Sequence, residues 1–250
     1  MDRITPEFLT LSDRRLAYHQ RLGKAGSPGV IFCSGYASNM LGTKAEFLDQ
    51  RCAESGLSFL RFDYQGHGQS SGNFTDGTIG DWFEDASIVF ERLTEGPQIL
   101  IGSSMGGWIA LMLALKQPER ARAFIGVAAA PDFTEELFLP GLTTAELAQL
   151  EQEGVVCRKA SPPDVPLPVT KKLVEEARKH LLLRGPISVT CPVRLLHGIQ
   201  DADVPWRHAL RIADIVPHGD VRIVLVKNGG HRLSRPQDLE LLWQAAEEFI

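Results

Sequence analysis

The sequence has few cysteines and no excess of positive charge. Its four cysteines are widely separated and form no C-x-x-C pair, which argues against a disulfide framework and against a zinc site. Lysine and arginine number 26 against 31 acidic residues, so the formal net charge is −5 and no general attraction to nucleic-acid phosphates or anionic lipids is expected. We therefore predict reduced thiols, no metal and no nucleic-acid partner.

Long hydrophobic runs are also missing. The longest purely apolar stretch, Trp108 to Leu115, is far shorter than the roughly 20 residues that a membrane-spanning helix needs. Residues 1 to 6 contain no basic region followed by an apolar stretch, so they predict no secretory signal. We expect a soluble, cytoplasmic protein without a membrane span.

Short apolar runs alternate with helical patterns and glycine-rich turns. After a predicted antiparallel hairpin (residues 3 to 11 and 14 to 22), the runs typical of buried parallel strands are residues 29–33, 58–62, 98–101, 123–129, 193–196 and 221–226. Apolar residues recur at spacings of three and four in the predicted helices, which begin near Thr78, Trp206 and Pro236. This alternation predicts an α/β fold: a mostly parallel, twisted sheet with helices on both faces.

Residues 133 to 186 interrupt that alternation. They contain an apolar cluster from Leu137 to Leu142, a short polar helix and the proline-rich run from Ser161 to Pro168. A chain of 250 residues is within the usual size of one α/β domain. We therefore interpret residues 1 to 250 as a single domain, with a small cap inserted at about residues 133 to 186.

A G-x-S-x-G motif lies between a predicted strand and a predicted helix. In the motif, Gly102 to Gly106, the central serine is Ser104. A tight strand-to-helix elbow strains the backbone of that serine and brings the chains too close for side chains at the glycines. It would also raise the hydroxyl to the carboxyl end of the sheet, beside the N–H groups of the next helix. Ser104 is the predicted nucleophile, and a plain small-residue turn is the alternative.

A nucleophilic serine needs a histidine base and a carboxylate that orients the histidine. Among seven histidines only His231 follows the last predicted strand, in a glycine-containing turn, and it is the predicted base. His197, at the end of an earlier strand, is interpreted as a buried histidine that bonds to backbone groups. Asp201 and Asp203 both follow that strand. We favour Asp201 as the acid and Asp203 as the cap of the next helix.

Acyl transfer also needs two backbone N–H donors for the oxyanion. Met105, directly after the nucleophile, would supply one, and Tyr36, in a turn that Gly35 permits, would supply the other. A second glycine-rich stretch, Arg61 to Ser70, lacks the lysine of a phosphate-binding loop and is too short for a dinucleotide fingerprint. We predict a structural turn there, and no cofactor.

These motifs resemble the α/β-hydrolase superfamily, and within it a group of acyl-protein thioesterases also described as acyl-glucuronide esterases. The similarity extends over nearly the whole chain and is also carried by residues 42–45, 61–64, 96–100, 191–198 and 204–206. The resemblance implies deacylation of S-acylated cysteines and cleavage of acyl glucuronides, with Ser104, Asp201 and His231 at the catalytic positions. We expect no organelle-targeting extension of the kind that the mitochondrial members of that group carry.

The expected reaction is two-step acyl transfer on a small-molecule ester or an S-acylated protein. Leu137, Phe138, Leu139 and Leu142 would form an apolar acyl channel, or else the core of the cap. Arg232 would contact an anionic substrate such as a glucuronide carboxylate, or else lie at the surface. A small-molecule carboxylesterase, a perhydrolase and a carbon–carbon hydrolase use the same triad, and a ligand-binding homologue is the non-enzymatic alternative.

Overall fold

The structure, a computed structural model, describes residues 5–159 and 166–250. Within these ranges the strands, in chain order, are β1 (Glu7–Thr10), β2 (Arg15–Arg21), β3 (Gly29–Cys33), β4 (Phe59–Phe62), β5 (Gln98–Ser103), β6 (Ala121–Val127), β7 (Val155–Lys159), β8 (Pro166–Thr170), β9 (Val193–Gly198) and β10 (Val221–Val226). The helices are α1 (Thr43–Ser55), α2 (Ile79–Leu93), α3 (Met105–Lys116), α4 (Thr144–Glu153), α5 (Lys171–Ala177), α6 (Arg207–Ile215) and α7 (Pro236–Glu247). None of these helices is long and apolar enough to span a membrane.

Eight of the strands form one twisted sheet in the order β1-β2-β4-β3-β5-β6-β9-β10. The first two pairings, β1 with β2 and β2 with β4, are antiparallel, and the other neighbours are parallel. The N-terminal hairpin and the mostly parallel sheet predicted from the sequence are confirmed. Residues 3 and 4 of the predicted hairpin lie outside the described residues.

Helices cover both faces of the sheet, as the sequence predicts. One buried cluster joins the sheet to α2 and α3 through Trp82 and Trp108, and another joins the opposite face to α1 and α7 through Trp243. All three tryptophans are at most 1% exposed. An aromatic side chain buries at least about 150 Å², so each contributes roughly 4 kcal/mol of hydrophobic free energy before the entropy of ordering is subtracted.

The predicted start of the second helix is confirmed at its cap. The Thr78 hydroxyl accepts the N–H of Asp81 at 3.2 Å, and the Asp81 carboxylate accepts the N–H of Thr78 at 3.0 Å. These two bonds satisfy the N–H groups of Thr78 and Asp81, which have no carbonyl partner in a preceding turn of the helix. It fixes where α2 begins, and so which face of the helix meets the sheet.

The turn that follows β4 is built around a buried carboxylate. Asp63 is 1% exposed and accepts the N–H groups of Met40 at 2.7 Å and Gln69 at 2.9 Å. A Cβ atom at Gly68 would lie 2.1 Å from an Asp63 carboxylate oxygen, and Gly68 has φ of +47°. The space beside Gly68 is therefore occupied by the Asp63 side chain, and the structural turn predicted for this stretch is confirmed.

Residues 133 to 186, here called the 133–186 segment, connect β6 to β9. The segment contains a π-helical turn at Thr134–Phe138, a 3-10 turn at Leu139–Gly141, helices α4 and α5, and the antiparallel pair β7 and β8. The short polar helix of the sequence prediction is α4. The β-hairpin was not predicted; Pro166 to Pro168 of the proline-rich run form part of β8, and residues 161 to 165 of that run lie outside the described residues.

Polar contacts attach the 133–186 segment to the domain. The buried Asp132 carboxylate accepts the N–H groups of Leu182 and Leu183, both at 2.7 Å. Glu176 accepts the N–H of Gly80 at 2.9 Å, at the beginning of α2, and so uses an N–H that the helix itself leaves free. These bonds hold the segment over the carboxyl ends of the strands.

Candidate active site

Ser104 lies at the junction between β5 and α3, with φ of +55° and ψ of −123°. A Cβ atom at Gly102 would be 2.2 Å from the carbonyl oxygen of Gly106, and one at Gly106 would be 2.1 Å from that of Cys33. Atoms cannot approach that closely, so both motif positions require glycine. The elbow expected from the sequence is therefore present, and it exposes the Ser104 hydroxyl at the end of the sheet.

A second pair of glycines brings together the loops that follow β9 and β10. A Cβ atom at Gly198 would lie 2.3 Å from the carbonyl oxygen of Gly229. The N–H of Gln200 donates to the same oxygen at 2.9 Å. Because β9 and β10 are parallel neighbours, their carboxyl ends meet at one edge, and this backbone contact brings Asp201 and His231 within reach of each other.

The structure brings Ser104, His231 and Asp201 together. His231 Nε2 lies 3.1 Å from Ser104 Oγ, and His231 Nδ1 lies 2.9 Å from Asp201 Oδ2. An ionised carboxylate only accepts hydrogen bonds, so Nδ1 donates to it and the neutral imidazole presents an unprotonated Nε2 to the serine. In this tautomer the histidine can take the hydroxyl proton.

Asp201 is held as an anion by its surroundings. Its side chain is fully buried, and its Oδ1 accepts the N–H groups of Asp203 at 2.9 Å and Val204 at 2.8 Å. Burial alone would favour the protonated acid, but the hydrogen bonds from His197, His231 and Val204 outweigh it and hold the pKa of Asp201 well below its usual range. The carboxylate therefore stays charged at neutral pH.

His197 has the backbone partner that the sequence predicts, and a second partner besides. It is 1% exposed, and its Nε2 lies 2.9 Å from the Val204 carbonyl oxygen. The same nitrogen is 3.2 Å from Asp201 Oδ2. The contact with the carboxylate was missed because the loop folds back over the end of β9, a path that the residue types alone do not reveal.

Asp203 does not have its predicted role. Helix α6 begins at Arg207, and its N-cap, Trp206, makes no side-chain cap bond. Asp203 is three residues too early in the chain to reach the first N–H groups of that helix, and it lines the cleft beside the triad instead. The prediction of Asp203 as a helix cap is therefore wrong.

The described residues contain one grouping of possible metal ligands at this site. Ligand atoms of Asp201, Asp203 and His231 lie within 4.8 Å of one another. Asp201 and His231 already use theirs in mutual and backbone hydrogen bonds, which a cation would have to displace. The donor set suits proton transfer better than metal binding.

Tyr36 and Met105 line the same cleft as Ser104. Neither backbone N–H donates to another residue within 5–159 and 166–250. The ring of Tyr36 packs edge-on against Phe74 and Trp82, and its hydroxyl donates to the carbonyl oxygen of Pro168 at 2.5 Å. Burial raises the pKa of the Tyr36 phenol, so it remains a donor. The side chain thus fixes the loop that carries this N–H.

A cleft of about 790 Å³ contains Ser104 and His231. The 133–186 segment contributes five apolar residues to the lining of this cleft: Phe133, Leu137, Phe138, Leu167 and Val169. Two of the four residues predicted to line an acyl channel therefore face the cleft. Leu167 and Val169 were missed because neither the β-hairpin nor its position was apparent from the sequence.

The structure corrects the prediction for Leu139 and Leu142. Neither residue lines the cleft, and both pack against the main buried cluster. The chain passes from the π-helical turn into a 3-10 turn at Leu139, which changes the direction in which successive side chains point. These two leucines belong to the packing of the 133–186 segment.

Three cationic side chains border the cleft. Lys44 donates to the carbonyl oxygen of Arg232 at 2.5 Å, and Arg158 donates to that of Gly141 at 2.7 Å. Burial, together with the neighbouring charge of Arg232, lowers the pKa of Lys44 to about 8. Arg232 is exposed and forms no ion pair with a carboxylate of the described residues. Its guanidinium is therefore available to an anionic ligand.

Comparison with known proteins gives matches over most of the chain. Residues 27–161 match the family described as serine aminopeptidase, S33. The palmitoyl-protein thioesterase ABHD10 of Mus musculus is 41% identical over 246 residues, which cover 97% of this chain and 82% of that protein. The Homo sapiens protein of the same name is 41% identical over 237 residues, covering 94% and 76%. Both names include the word mitochondrial, so the cytoplasmic location stays a prediction without support from these relatives.

Solved structures agree with this result. Mouse alpha/beta hydrolase domain-containing protein 10 superposes with a TM-score of 0.89 at 38% identity, over 98% of each chain. A structure from Agrobacterium vitis S4 superposes with a TM-score of 0.94, also at 38% identity and over 98% of each chain. Est1E from Butyrivibrio proteoclasticus, at 21% identity and a TM-score of 0.77, shares the fold.

Proposed function

Because the chain belongs to the α/β-hydrolase family and is a hydrolase, we propose that it cleaves acyl thioesters with Ser104 as nucleophile, His231 as base and Asp201 as acid. The observation that carries the proposal is the hydrogen-bonded chain from Ser104 Oγ through His231 to Asp201, with contacts of 3.1 Å and 2.9 Å. A strained serine, a histidine in the correct tautomer and a buried carboxylate are the parts that this chemistry needs.

In the first half of the reaction His231 Nε2 takes the Ser104 proton while Oγ attacks the acyl carbonyl carbon. The backbone N–H groups of Tyr36 and Met105 donate to the oxyanion, and each such donor is worth roughly 3 kcal/mol in the transition state. The charge of Asp201 stabilises the imidazolium that forms. His231 then gives its proton to the departing thiolate, and the acyl group remains on Ser104.

In the second half water attacks the acyl-enzyme. His231 removes a proton from that water, the oxyanion forms again beside the same N–H groups, and Ser104 leaves with the proton returned to its oxygen. The carboxylic acid is released. All of these steps use side chains and backbone groups of this chain.

We further propose that the 133–186 segment is a cap that binds the acyl chain. Phe133, Leu137, Phe138, Leu167 and Val169 provide an apolar wall beside Ser104 in a cleft of about 790 Å³, within the usual range for ligand pockets. A long acyl chain gains about 0.8 kcal/mol for each methylene that such a wall removes from water. The two ABHD10 relatives are named palmitoyl-protein thioesterases, and a palmitoyl chain is the substrate group that we propose here.

Acyl glucuronides are a second candidate substrate class, and Arg232 is the observation that favours them. Its exposed guanidinium borders the cleft and forms no ion pair with a described carboxylate. Arginine suits the carboxylate of a glucuronide because it can form two parallel hydrogen bonds with it. We expect Arg232→Ala to lose glucuronide cleavage and to retain thioester cleavage. An equal loss of both activities would remove this role of Arg232.

The deciding experiment measures kcat/KM for palmitoyl and acetyl thioesters. We expect a preference for palmitoyl and the loss of both activities in Ser104→Ala, together with loss of labelling by a fluorophosphonate. A preference for acetyl esters would favour the small-molecule carboxylesterase instead. A wild-type protein that neither turns over substrate nor reacts with the fluorophosphonate would favour a ligand-binding homologue and overturn the proposal.

A further inference from the structure

His197 is a buried histidine that the proposed mechanism does not use. Its Nε2 lies 2.9 Å from the Val204 carbonyl oxygen and 3.2 Å from Asp201 Oδ2. Both oxygens are acceptors, since a carbonyl cannot donate and the carboxylate is ionised. The proton of His197 therefore resides on Nε2, where it is donated to the Val204 carbonyl and also faces the Asp201 carboxylate.

Two histidines thus face one oxygen atom of the acid. Asp201 Oδ2 accepts from His231 Nδ1 at 2.9 Å, and it lies 3.2 Å from His197 Nε2, close enough for the His197 N–H to lower the pKa of the carboxyl. The other oxygen, Oδ1, accepts two backbone N–H groups from Asp203 and Val204. A carboxylate held at both oxygens cannot rotate about its Cβ–Cγ bond without breaking several charge-assisted hydrogen bonds.

We propose that His197 is a positioning residue for the triad: it fixes the Asp201 carboxylate and limits how strongly that carboxylate stabilises protonated His231. This inference rests on the proposed function of the triad. A hydrogen bond from His197 withdraws part of the negative charge that Oδ2 would otherwise direct to His231 Nδ1. Without that bond, His231 becomes more basic and the acid becomes free to turn.

The groups around His197 leave its donor role intact. Asp201 and His231 face it from their loops, and the exposed Asp203 lies on the same turn. On the α6 side, His208 interacts electrostatically with His197, and its Nε2 lies 2.9 Å from the Pro131 carbonyl oxygen. Burial lowers the pKa of His208, which favours its neutral form.

The test compares His197→Met with His197→Gln over pH 5 to 9. Methionine fills the site without donating, whereas the glutamine amide carries an N–H at a reach similar to that of Nε2. For His197→Met we expect kcat/KM at pH 8 to fall about tenfold, near the lower end of what a hydrogen bond to a charged group contributes. We also expect the acid limb of the pH profile to move upward. His197→Gln should restore most of both properties.

His208→Met is the matched control. It also removes a buried histidine bonded to a backbone carbonyl, but among the described residues His208 forms no hydrogen bond or ion pair with Asp201. We expect it to lower thermal stability and to leave the acid limb unmoved. If His197→Met folds and its acid limb coincides with that of His208→Met, then His197 has only a structural role and the proposal is overturned.

Proton NMR provides a test that does not depend on turnover or on substituting His197. The hydrogen-bonded N–H protons of His197 and His231 should both give low-field signals, and both signals should shift in Asp201→Asn. A His197 signal that is unchanged in that variant would contradict the shared hydrogen bond. If the wild-type protein lacked Ser104-dependent activity, the proposed function would fail, while these signals would still report whether His197 and Asp201 interact.

Discussion

The elbow around Ser104 and the 133–186 segment above it are fixed in different ways. At the elbow, backbone segments pack directly against each other. A Cβ atom at Gly106 would lie only 2.1 Å from the Cys33 carbonyl oxygen. In the 133–186 segment the attachment is through side chains, including Glu176 with the N–H of Gly80 and Trp108 with the carbonyl of His180. Side-chain contacts can be altered one at a time, whereas a backbone contact of this kind admits no substitution.

This difference separates the chemistry from the choice of substrate. The groups proposed to react lie on turns at the ends of buried strands, where geometry tolerates little error. The proposed acyl-binding wall lies on a π-helical turn and a two-stranded hairpin, whose side chains can change without moving Ser104. The effects of substitutions in the two regions should therefore differ in kind as well as in size.

The largest expected effect is at Gly106. In Gly106→Ala the new methyl group would collide with the carbonyl oxygens of Cys33 and Ser34, at 2.1 Å and 2.5 Å, so the elbow must shift. We expect unfolding free energy to fall by at least about 3 kcal/mol, as in severe overpacking, and activity to be lost. Urea unfolding and fluorophosphonate labelling measure the two effects.

Gly185→Ala, in the 133–186 segment, is the matched control. Apart from its two chain neighbours, no atom of residues 5–159 and 166–250 lies within 4 Å of the position that its Cβ would occupy. We expect its unfolding free energy to stay within about 0.5 kcal/mol of the wild-type value. Equal destabilisation in both variants would remove the distinction between the two regions.

A smaller but still large effect is expected at Asp201. Asp201→Asn should lower kcat by about 10³- to 10⁴-fold, because the amide favours the wrong histidine tautomer. The pKa of Asp201 is depressed on folding, so its charge stabilises the fold above the unfolded value of about 3.9, and this contribution is lost as the pH falls further. The stability gap between wild type and variant, measured by urea unfolding, should therefore shrink between pH 5 and pH 3.

Asp203→Asn tests whether the effects expected for Asp201→Asn are specific to the buried Asp201 carboxylate. Asp203 is exposed, and its carboxylate accepts no hydrogen bond from the described residues. We expect little change in kcat. If Asp203→Asn reproduced the loss of activity, Asp203 would replace Asp201 as the proposed acid.

The smallest effect is expected at Leu137. Leu137→Ala should lower kcat/KM for a palmitoyl thioester about tenfold and leave acetyl thioester cleavage nearly unchanged, since only the long chain reaches that wall. Leu142→Ala is the control, because Leu142 packs against the buried cluster and does not line the cleft. A similar loss of chain-length preference in both variants would argue against the proposed acyl-binding wall.

Short-range patterns in the sequence predicted most of the sheet and the residues that meet at the site. The strand at Gly29–Cys33 and the one at Val221–Val226 have the predicted bounds, because uninterrupted apolar runs between turns leave few alternatives. Ser104 and His231 could be identified as the candidate nucleophile and base because the glycines beside them indicate turns at strand ends. The order of the elements then determined which strand ends are neighbours.

Contacts that depend on the path of a loop could not be predicted in this way. The contact of His197 with Asp201 arises because the loop that carries Asp201 folds back over the end of β9. The hairpin of β7 and β8 includes prolines that weaken any strand signal. Leu137, Leu139 and Leu142 belong to one apolar cluster in the sequence, which fits an acyl channel or the core of the cap equally well, yet of these three leucines only Leu137 lines the cleft. The sequence did not reveal the direction of the side chains, because the helical turn changes type between Leu137 and Leu139.

The backbone conformation of Ser104 limits which other nucleophilic residues could replace this serine. With φ of +55°, the residue occupies a conformation that β-branched side chains rarely adopt. A threonine would supply the same hydroxyl group but would set a second branch against the elbow, whereas a cysteine keeps the shape of serine and changes only the reacting atom. An engineer could therefore turn this site from oxygen to sulfur chemistry without redesigning the turn.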